Sequence, residues 1–506
     1  MKRVPTLDRR TFLRRSIHGA LGGAGLYSAL GSLQLSLAAA MQSRAKAADY
    51  KALVCVFLYG GNDSFNTVVP WDAAHYGEYR NSRQQLIADG GLALAQAQIQ
   101  AQALSPLAAS GGLPGGRAQD RDGAFVECGL HPALTGLRSL FNSGSAAIVA
   151  NVGPLLYPVT QATYDDGSVA LPPQLFSHSD QSLYWQTSRP DNATANGWGG
   201  RIADLLQSSN TSLLPMSVTL ASQNQFQRGL LVPQYAMDSY NPDNPVTRLS
   251  YLGYAPPDYE DDGGPESWLL ANDQSGGVAA HQSLLLLDSQ QHVLERAYAR
   301  THHRAIANYE LIGQSLRNNP APSTPFPDTE LGRQLRVVAH LVKAAHADPG
   351  MRRQVFFVAS GGWDFHSTQV ADQHANLAEL SGALRAFHDA TLEMGVANKV
   401  TSFTASDFGR TLGMNGDGTD HGWGGHHFVV GGAVRGQRFY GRMPSLLADN
   451  NPDDTGYGQI IPTVSVDQYA ATLAAWFGVD AGGLADIFPN LGRFPDHGGA
   501  NLGFML

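Results

Sequence analysis

The chain has 506 residues, 43% of them hydrophobic and 15% charged, which is typical of a soluble globular protein with a sizeable core. Its formal net charge of −9 argues against general nucleic-acid binding, which requires a basic face. The two cysteines, Cys55 and Cys128, lack the C-x-x-C spacing of a zinc knuckle or iron–sulfur site, and a disulfide between them stays open.

The N-terminal segment has the layout of a twin-arginine signal peptide over residues 1–47. In "LDRRTFLRRS" a pair of arginines precedes Phe12 and Leu13, a weakly apolar stretch follows, and "AKA" ends at Ala47. We therefore expect a periplasmic or otherwise exported protein. A retained membrane anchor is the alternative, because the apolar run approaches the ~20 residues that span a bilayer. This route carries folded proteins, often with a cofactor loaded, so it favours a bound metal or cofactor.

After the leader, apolar β-rich runs alternate with helical patterns. The runs are "YKALVCVFLYGGND", "SAAIVANVG", "RQVFFVASGGWDFH", "KVTSFTASDFGRT" and "HHFVVGG". Strands without polar alternation are covered on both faces, as in a parallel sheet. Segments such as "TELGRQLRVVAHLVKAAH" have the 3.6-residue spacing of helices. The pattern predicts one α/β domain over residues 48–506, with a mostly parallel central sheet flanked by helices.

Residues 208–319 interrupt this alternation. The segment contains loops rich in proline and aspartate, such as "YAPPDYEDDGGP", and then a long polar helix from Val278 to Arg317. We interpret it as an insertion or cap on the α/β domain.

Acids and imidazoles follow the predicted strands repeatedly. In an open α/β sheet, ligands bind outside the carboxyl ends of the strands, and carboxylate oxygen and imidazole nitrogen suit zinc or manganese. Glycines in "TDHGWGGHH" let the backbone turn sharply there, and one of His426 and His427 is expected to face the site. We predict a divalent metal, zinc first, with manganese or calcium as alternatives. The predicted ligands are Asp63, Asp364, His366, Asp407, Asp420, His421 and His427.

Three further residues are candidates for catalysis. Ser177 and Ser179 lie just before a predicted helix in "FSHSDQSLYWQTS", where a serine is either an N-cap or a nucleophile facing an anion. Arg410 follows Asp407 and is a candidate for holding an anionic substrate, with an ordinary salt bridge as the alternative.

Several of these motifs occur together in a known family. The segments "FLYGGNDSFNTVVP", "LHPALTGL", "SHSDQSLYWQT", "GGWDFHSTQ", "SDFGRT" and "TDHGWGGHHFVVGGAVRG" resemble those of twin-arginine-exported proteins grouped as domain of unknown function 1501. That family is distantly similar to the alkaline phosphatase and sulfatase superfamily. The resemblance implies an alkaline-phosphatase-like α/β core with one or two metals at the strand ends. Phe408 stands where many members have histidine, and the C/S-x-P-x-R sulfatase motif is absent.

The resemblance implies an exported metal-dependent hydrolase of phosphate or sulfate esters or related anionic groups. The expected partner is an anionic ester, either a small molecule or a polymer. Membrane contact is expected only through an uncleaved signal peptide. Ser179, or hydroxide bound to the metal, is the expected nucleophile. The alternative is a non-catalytic cell-envelope scaffold or secretion-associated protein on a hydrolase-like fold, with an envelope protein as its partner.

Overall fold

The computed structural model of the protein describes residues 49–108, 115–240, 311–494 and 501–506, together with residues 242 and 308. The predicted signal peptide lies outside these residues, and so does most of the polar helix predicted from Val278 to Arg317. Among the described helices, none combines the length and the apolar character needed to cross a bilayer.

The predicted central sheet is present, with nine strands in the described part of the chain. A separate antiparallel pair is formed by β2 and β3. The strands in chain order are β1 (Lys51–Leu58), β2 (Val68–Pro70), β3 (Cys128–Leu130), β4 (Ala146–Gly153), β5 (Ser217–Thr219), β6 (Tyr235–Ala236), β7 (Arg353–Ser360), β8 (Val400–Ser406), β9 (Gly425–Gly431), β10 (Phe439–Tyr440) and β11 (Val464–Ser465).

The order of the central sheet is β10-β4-β9-β8-β1-β7-β5-β6, with β11 also paired to β4. Strand β1 lies between β7 and β8 and is parallel to both. Among the described strands of this sheet, β9 alone is antiparallel to its neighbours, β8 and β4. The prediction of a mostly parallel α/β sheet is therefore confirmed.

Helices cover both faces of the sheet. In chain order they are α1 (Ala73–Ser82), α2 (Gln96–Ala101), α3 (Thr135–Asn142), α4 (Gln161–Asp165), α5 (His178–Thr187), α6 (Trp198–Leu206), α7 (Glu330–Ala347), α8 (Gln369–Glu393), α9 (Val466–Phe477) and α10 (Ala481–Ile487). Residues 311–318 are helical as well. Helix α9 illustrates the local signals: Ser465 caps its first turn, and it ends at Gly478, whose φ of 116° suits glycine.

The alternating side chains of β1 enter two different cores. Val54 and Val56 pack in the core under α3, α7 and α8. Cys55 and Phe57 pack in the opposite core, against α6 and α9. Because both faces are covered, the strand is apolar without alternation, as its sequence predicted. Cys128 belongs to the first core and Cys55 to the second, and both are free thiols.

One contact near the surface is expected to make stability depend on pH. His75 Nδ1 lies 2.8 Å from Asp72 Oδ1, and its Nε2 lies 3.4 Å from Asp120 Oδ2. Burial alone lowers the pKa of His75, but the hydrogen bonds to Asp72 and Asp120 and the charges of Asp72 and Glu78 outweigh burial and raise it. Despite burial, backbone N–H groups and His75 hold the pKa of both carboxyls below the usual value.

Replacing His75 with glutamine is expected to cost more stability at pH 6 than at pH 9. Because the pKa of His75 is higher in the folded state than in the unfolded state, its ion pairs stabilise the fold. This contribution is complete below the unfolded-state pKa of about 6.5 and is lost as the pH rises through the folded-state pKa. Urea unfolding of both proteins at the two pH values measures the difference. His374→Gln on α8, where the histidine is exposed, is the control. An equal cost at both pH values would contradict the ion-pair interpretation.

Candidate metal centre

The strand order brings four separated loops to one edge of the sheet. Leu58 at the end of β1 is in register with Ser360 of β7 and Ser406 of β8, so the loops after these strands emerge together. Because β9 is antiparallel, the segment before it, rather than after it, reaches the same edge. Close packing there requires glycine: a Cβ on Gly60, whose φ is 120°, would lie 2.4 Å from the backbone nitrogen of Asp364.

Three imidazoles from three separate segments of the chain surround the Asp364 carboxylate. Its Oδ1 lies 3.0 Å from His366 Nε2 and 3.4 Å from His421 Nε2. Its Oδ2 lies 3.3 Å from His178 Nε2. The Nε2 atoms of His366 and His421 are 2.9 Å apart. One ligand atom each from His178, Asp364 and His421 lie within 4.8 Å of one another. We call His178, Asp364, His366 and His421 together the imidazole cluster.

The outer nitrogen of each imidazole faces an oxygen. His178 Nδ1 lies 2.8 Å from Asp407 Oδ2, and His421 Nδ1 lies 2.8 Å from the carbonyl oxygen of Phe176. His366 Nδ1 lies 3.3 Å from Asp420 Oδ1. Carbonyl and carboxylate oxygens accept hydrogen bonds, so each Nδ1 is the N–H donor. In the neutral tautomer protonated at Nδ1, each Nε2 has a lone pair directed at the centre of the cluster and is able to ligate a metal.

This arrangement fits a divalent cation. The Nε2 atoms of His366 and His421, 2.9 Å apart, are close enough either to share one proton or to bind the same cation. A tetrahedral zinc site with bonds of about 2.0–2.1 Å has ligand–ligand edges of about 3.3 Å, and the cluster separations bracket that length. His178 Nε2 is buried, and although Asp364 Oδ2 lies 3.3 Å away, it makes no hydrogen bond of good geometry. The anchoring of each Nδ1 by an oxygen is the usual outer shell of histidine metal ligands.

Charged neighbours tune the ligands. Burial raises the pKa of Asp364, but the hydrogen bond and charge of Arg410 outweigh it and hold that pKa below the usual value. The hydrogen bond to Asp407 raises the pKa of His178 against the effect of burial. Burial lowers the pKa of His421, which keeps its imidazole neutral and able to ligate. The Asp364 side chain is 43% exposed, so the cluster is open to solvent on one side.

Backbone strain supports one of these contacts. Phe176 has a φ of 71°, a conformation that non-glycine residues rarely adopt. Its carbonyl oxygen is the acceptor for His421 Nδ1. The strained residue therefore holds a candidate ligand, and strain of this kind concentrates at functional sites.

Five of the seven predicted ligands meet at this edge. Asp364, His366 and His421 belong to the imidazole cluster, and Asp407 and Asp420 hold its outer nitrogens. Asp407 and Asp420 therefore contact the histidine ligands rather than the centre of the cluster.

The structure does not bring Asp63 or His427 into the cluster. Asp63 is fully buried, with Oδ1 bonded to Arg83 and Oδ2 to Gln369. His427 is buried in β9, where its ring lies 4.5 Å from that of Trp185. Its neighbour His426 faces the other way and accepts a hydrogen bond from the backbone of Asn151. Burial lowers the pKa of both imidazoles, to about 4 for His426 and about 3 for His427.

The three predicted catalytic residues have other contacts. Ser177 is the N-cap of α5, and its hydroxyl lies 2.7 Å from Asp180 Oδ2. The Ser179 hydroxyl lies 3.1 Å from that of Ser177 and 3.3 Å from the same carboxylate. Arg410 is fully buried, and its Nη1 donates to Asp364 Oδ1 at 2.7 Å. Arg410 therefore holds a candidate ligand, and its burial leaves it no exposed surface for an anionic substrate.

His178 is the cluster member that the sequence did not predict as a ligand. It is the first residue of α5, and the helix approaches the sheet edge through Gln181, which donates to the carbonyl oxygen of Gly422 at 3.2 Å. The available signal was an imidazole between two serines at a predicted helix start. The two serine hydroxyls suggest an N-cap or a nucleophile, and nothing in the sequence pattern distinguishes the histidine between them as a ligand.

Comparison with known families adds a partial match. Residues 281–488 match the family model described as Protein of unknown function (DUF1501). The matched stretch contains Asp364, His366 and His421 but not His178. No curated protein matches the chain. The match confirms the resemblance to domain of unknown function 1501 over that stretch, and its description names no activity.

Proposed function

We propose that this protein is an exported, metal-dependent hydrolase of phosphate or sulfate esters or related anionic groups. The observation that carries the proposal is the convergence of three anchored imidazoles on one carboxylate, at the strand edge where α/β enzymes bind ligands. The resemblance to the alkaline phosphatase and sulfatase superfamily supplies the reaction class. Export rests on the twin-arginine pattern of residues 1–47.

The donor set favours zinc, with manganese second. Three imidazoles and one carboxylate suit these metals, whereas calcium takes oxygen ligands almost entirely. When bound, zinc would polarise an ester oxygen and lower the pKa of the water that it binds to about 7. His178, Asp364 and His421 would hold the ion, with His366 as a fourth ligand.

The chain's own residues define the remaining roles. Asp407 orients His178 by accepting from its Nδ1, and the Phe176 carbonyl does the same for His421. Arg410 keeps Asp364 ionised and therefore able to ligate. His178 is the first residue of α5, so the positive end of that helix dipole lies beside the cluster and favours an anionic substrate.

Metal analysis and an ester screen test this proposal together. The protein is produced with its full leader in a host with twin-arginine export, and elemental analysis is expected to find about one zinc or manganese per chain. Phosphate and sulfate esters are then assayed before and after chelation. Turnover that chelator abolishes and added metal restores supports the hydrolase. Metal-free native protein, or metal-loaded protein without turnover that captures an envelope protein, favours the scaffold alternative.

The same assay decides the nucleophile. Ser179→Ala is expected to keep turnover within a few-fold of wild type, because the Ser179 hydroxyl bonds to Ser177 and Asp180 rather than to the cluster. If folded Ser179→Ala protein loses all turnover, Ser179 is the nucleophile after all.

A further inference from the structure

A chain of hydrogen bonds runs from the Asp364 carboxylate into the protein interior. Arg410 Nη1 donates to Asp364 Oδ1 at 2.7 Å, and Arg410 Nε donates to Thr419 Oγ1 at 2.9 Å. The Thr419 hydroxyl donates to Gln369 Oε1 at 2.8 Å, and Gln369 Nε2 donates to Asp63 Oδ2. Every member except Asp364 is buried.

The direction of each bond in this chain is determined by Asp63. An ionised carboxylate only accepts, so the Gln369 amide must present its NH₂ group to Asp63 and its oxygen to Thr419. The Thr419 hydroxyl then donates to Gln369 and accepts from Arg410. Arg83 Nη2, 2.6 Å from Asp63 Oδ1, balances the buried negative charge.

The restraint matters because Asp364 lies on an open loop. Its side chain is 43% exposed, and the loop that carries it begins with two glycines, Gly361 and Gly362. Arg410 is fully buried, and its guanidinium also donates to the carbonyl oxygens of Gly60 and Thr419. A guanidinium held at three positions fixes the carboxylate oxygen that it contacts.

We propose that Thr419 and Gln369 are positioning residues for the metal centre, oriented by Asp63, which is an interior anchor and not a ligand. This inference rests on the proposed metal centre. The network fixes the rotation of the Arg410 guanidinium and, through it, the Asp364 carboxylate. Loss of one interior hydrogen bond weakens the binding of a metal that none of these interior residues touches.

A pair of Thr419 variants tests the inference. Thr419→Val keeps the shape of the side chain and removes the hydroxyl, whereas Thr419→Ser keeps the hydroxyl. Zinc affinity of the full-length protein is measured by chelator competition, and the absorption spectrum of the cobalt-substituted protein reports ligand geometry. Thr419→Val is expected to bind zinc about 10-fold more weakly with an altered cobalt spectrum, and Thr419→Ser to recover both, since outer-shell changes cost about 10–100-fold.

Thr401→Val is the matched control. Thr401 is fully buried in β8, and its hydroxyl has no hydrogen-bond partner, so this variant is expected to keep wild-type zinc affinity. If Thr419→Val does not fold, as judged by thermal unfolding in chelator, Gln369→Met interrupts the chain at the next residue and is expected to weaken zinc binding similarly.

The outcomes separate this inference from the proposed function. Wild-type protein that binds one zinc, together with a Thr419→Val variant of unchanged affinity and cobalt spectrum, overturns the positioning role and leaves the metal centre intact. A wild-type protein that binds no divalent metal overturns the metal centre itself. Weakened binding in both Thr419→Val and Thr419→Ser points to packing and overturns the hydroxyl's role.

Discussion

Replacing His178 with alanine is expected to weaken zinc binding by at least about 100-fold, the upper end of what outer-shell changes cost. The reason is that His178 Nε2 faces Asp364 Oδ2, whereas His366 and His421 face Oδ1, so the variant removes one of the candidate ligands. Chelator competition on purified full-length protein measures the affinity. Circular dichroism and thermal unfolding in chelator verify that the variant is folded.

His374→Ala provides the matched histidine control. His374 is exposed on α8 and lies outside the imidazole cluster, so zinc affinity is expected to equal that of wild type. If folded His178→Ala protein binds zinc as tightly as wild type, the centre would consist of His366, His421 and Asp364 alone. The role of α5 in the site would then have to be abandoned.

Replacing Arg83 with methionine is expected to lower the free energy of unfolding by about 3–5 kcal/mol, the usual effect of leaving a buried charge without its partner. Both side chains of the Asp63–Arg83 pair are completely buried, and Arg83 Nη2 lies 2.6 Å from Asp63 Oδ1. Without Arg83, the donors to this carboxylate among the described residues are the Phe65 backbone and Gln369, and neither carries a charge. Urea unfolding in the presence of chelator measures the change.

Two further variants distinguish the lost charge from lost packing. Arg80→Met, three residues away on the exposed side of α1, is expected to change the free energy of unfolding by less than about 0.5 kcal/mol. Adding Asp63→Asn to Arg83→Met removes the unpaired charge and is expected to restore part of the stability. If the double variant is less stable than Arg83→Met, the uncompensated charge is not the main cause.

The sheet and part of the site follow from simple rules about strands. Apolar runs without alternation predicted the five principal strands, because side chains on both faces are buried. Parallel strands end at one edge, which correctly grouped Asp364, His366 and Asp407. Asp420 and His421 joined them because "TDHGWGGHH" leads into β9 at that same edge.

The same rules do not predict contacts that depend on packing between distant segments. Asp63 also follows a strand, but Arg83 on the chain after α1 and Gln369 on α8 hold it in the interior. His427 lies within β9, where alternation turns it to the core that contains Trp185. His178 reaches the cluster through the placement of α5 on the sheet, and hydrophobic periodicity carries no information about that placement.

The candidate ligands come from segments that are far apart in the sequence. His421 precedes β9, which is paired between β8 and β4, and 229 residues separate His178 from its anchor Asp407. No short stretch of the newly made polypeptide contains the complete ligand set. In the proposed metal centre, the metal would therefore bind after folding. Export in the folded state, which the N-terminal pattern predicts, would then let the compartment in which the protein folds determine which metal it acquires.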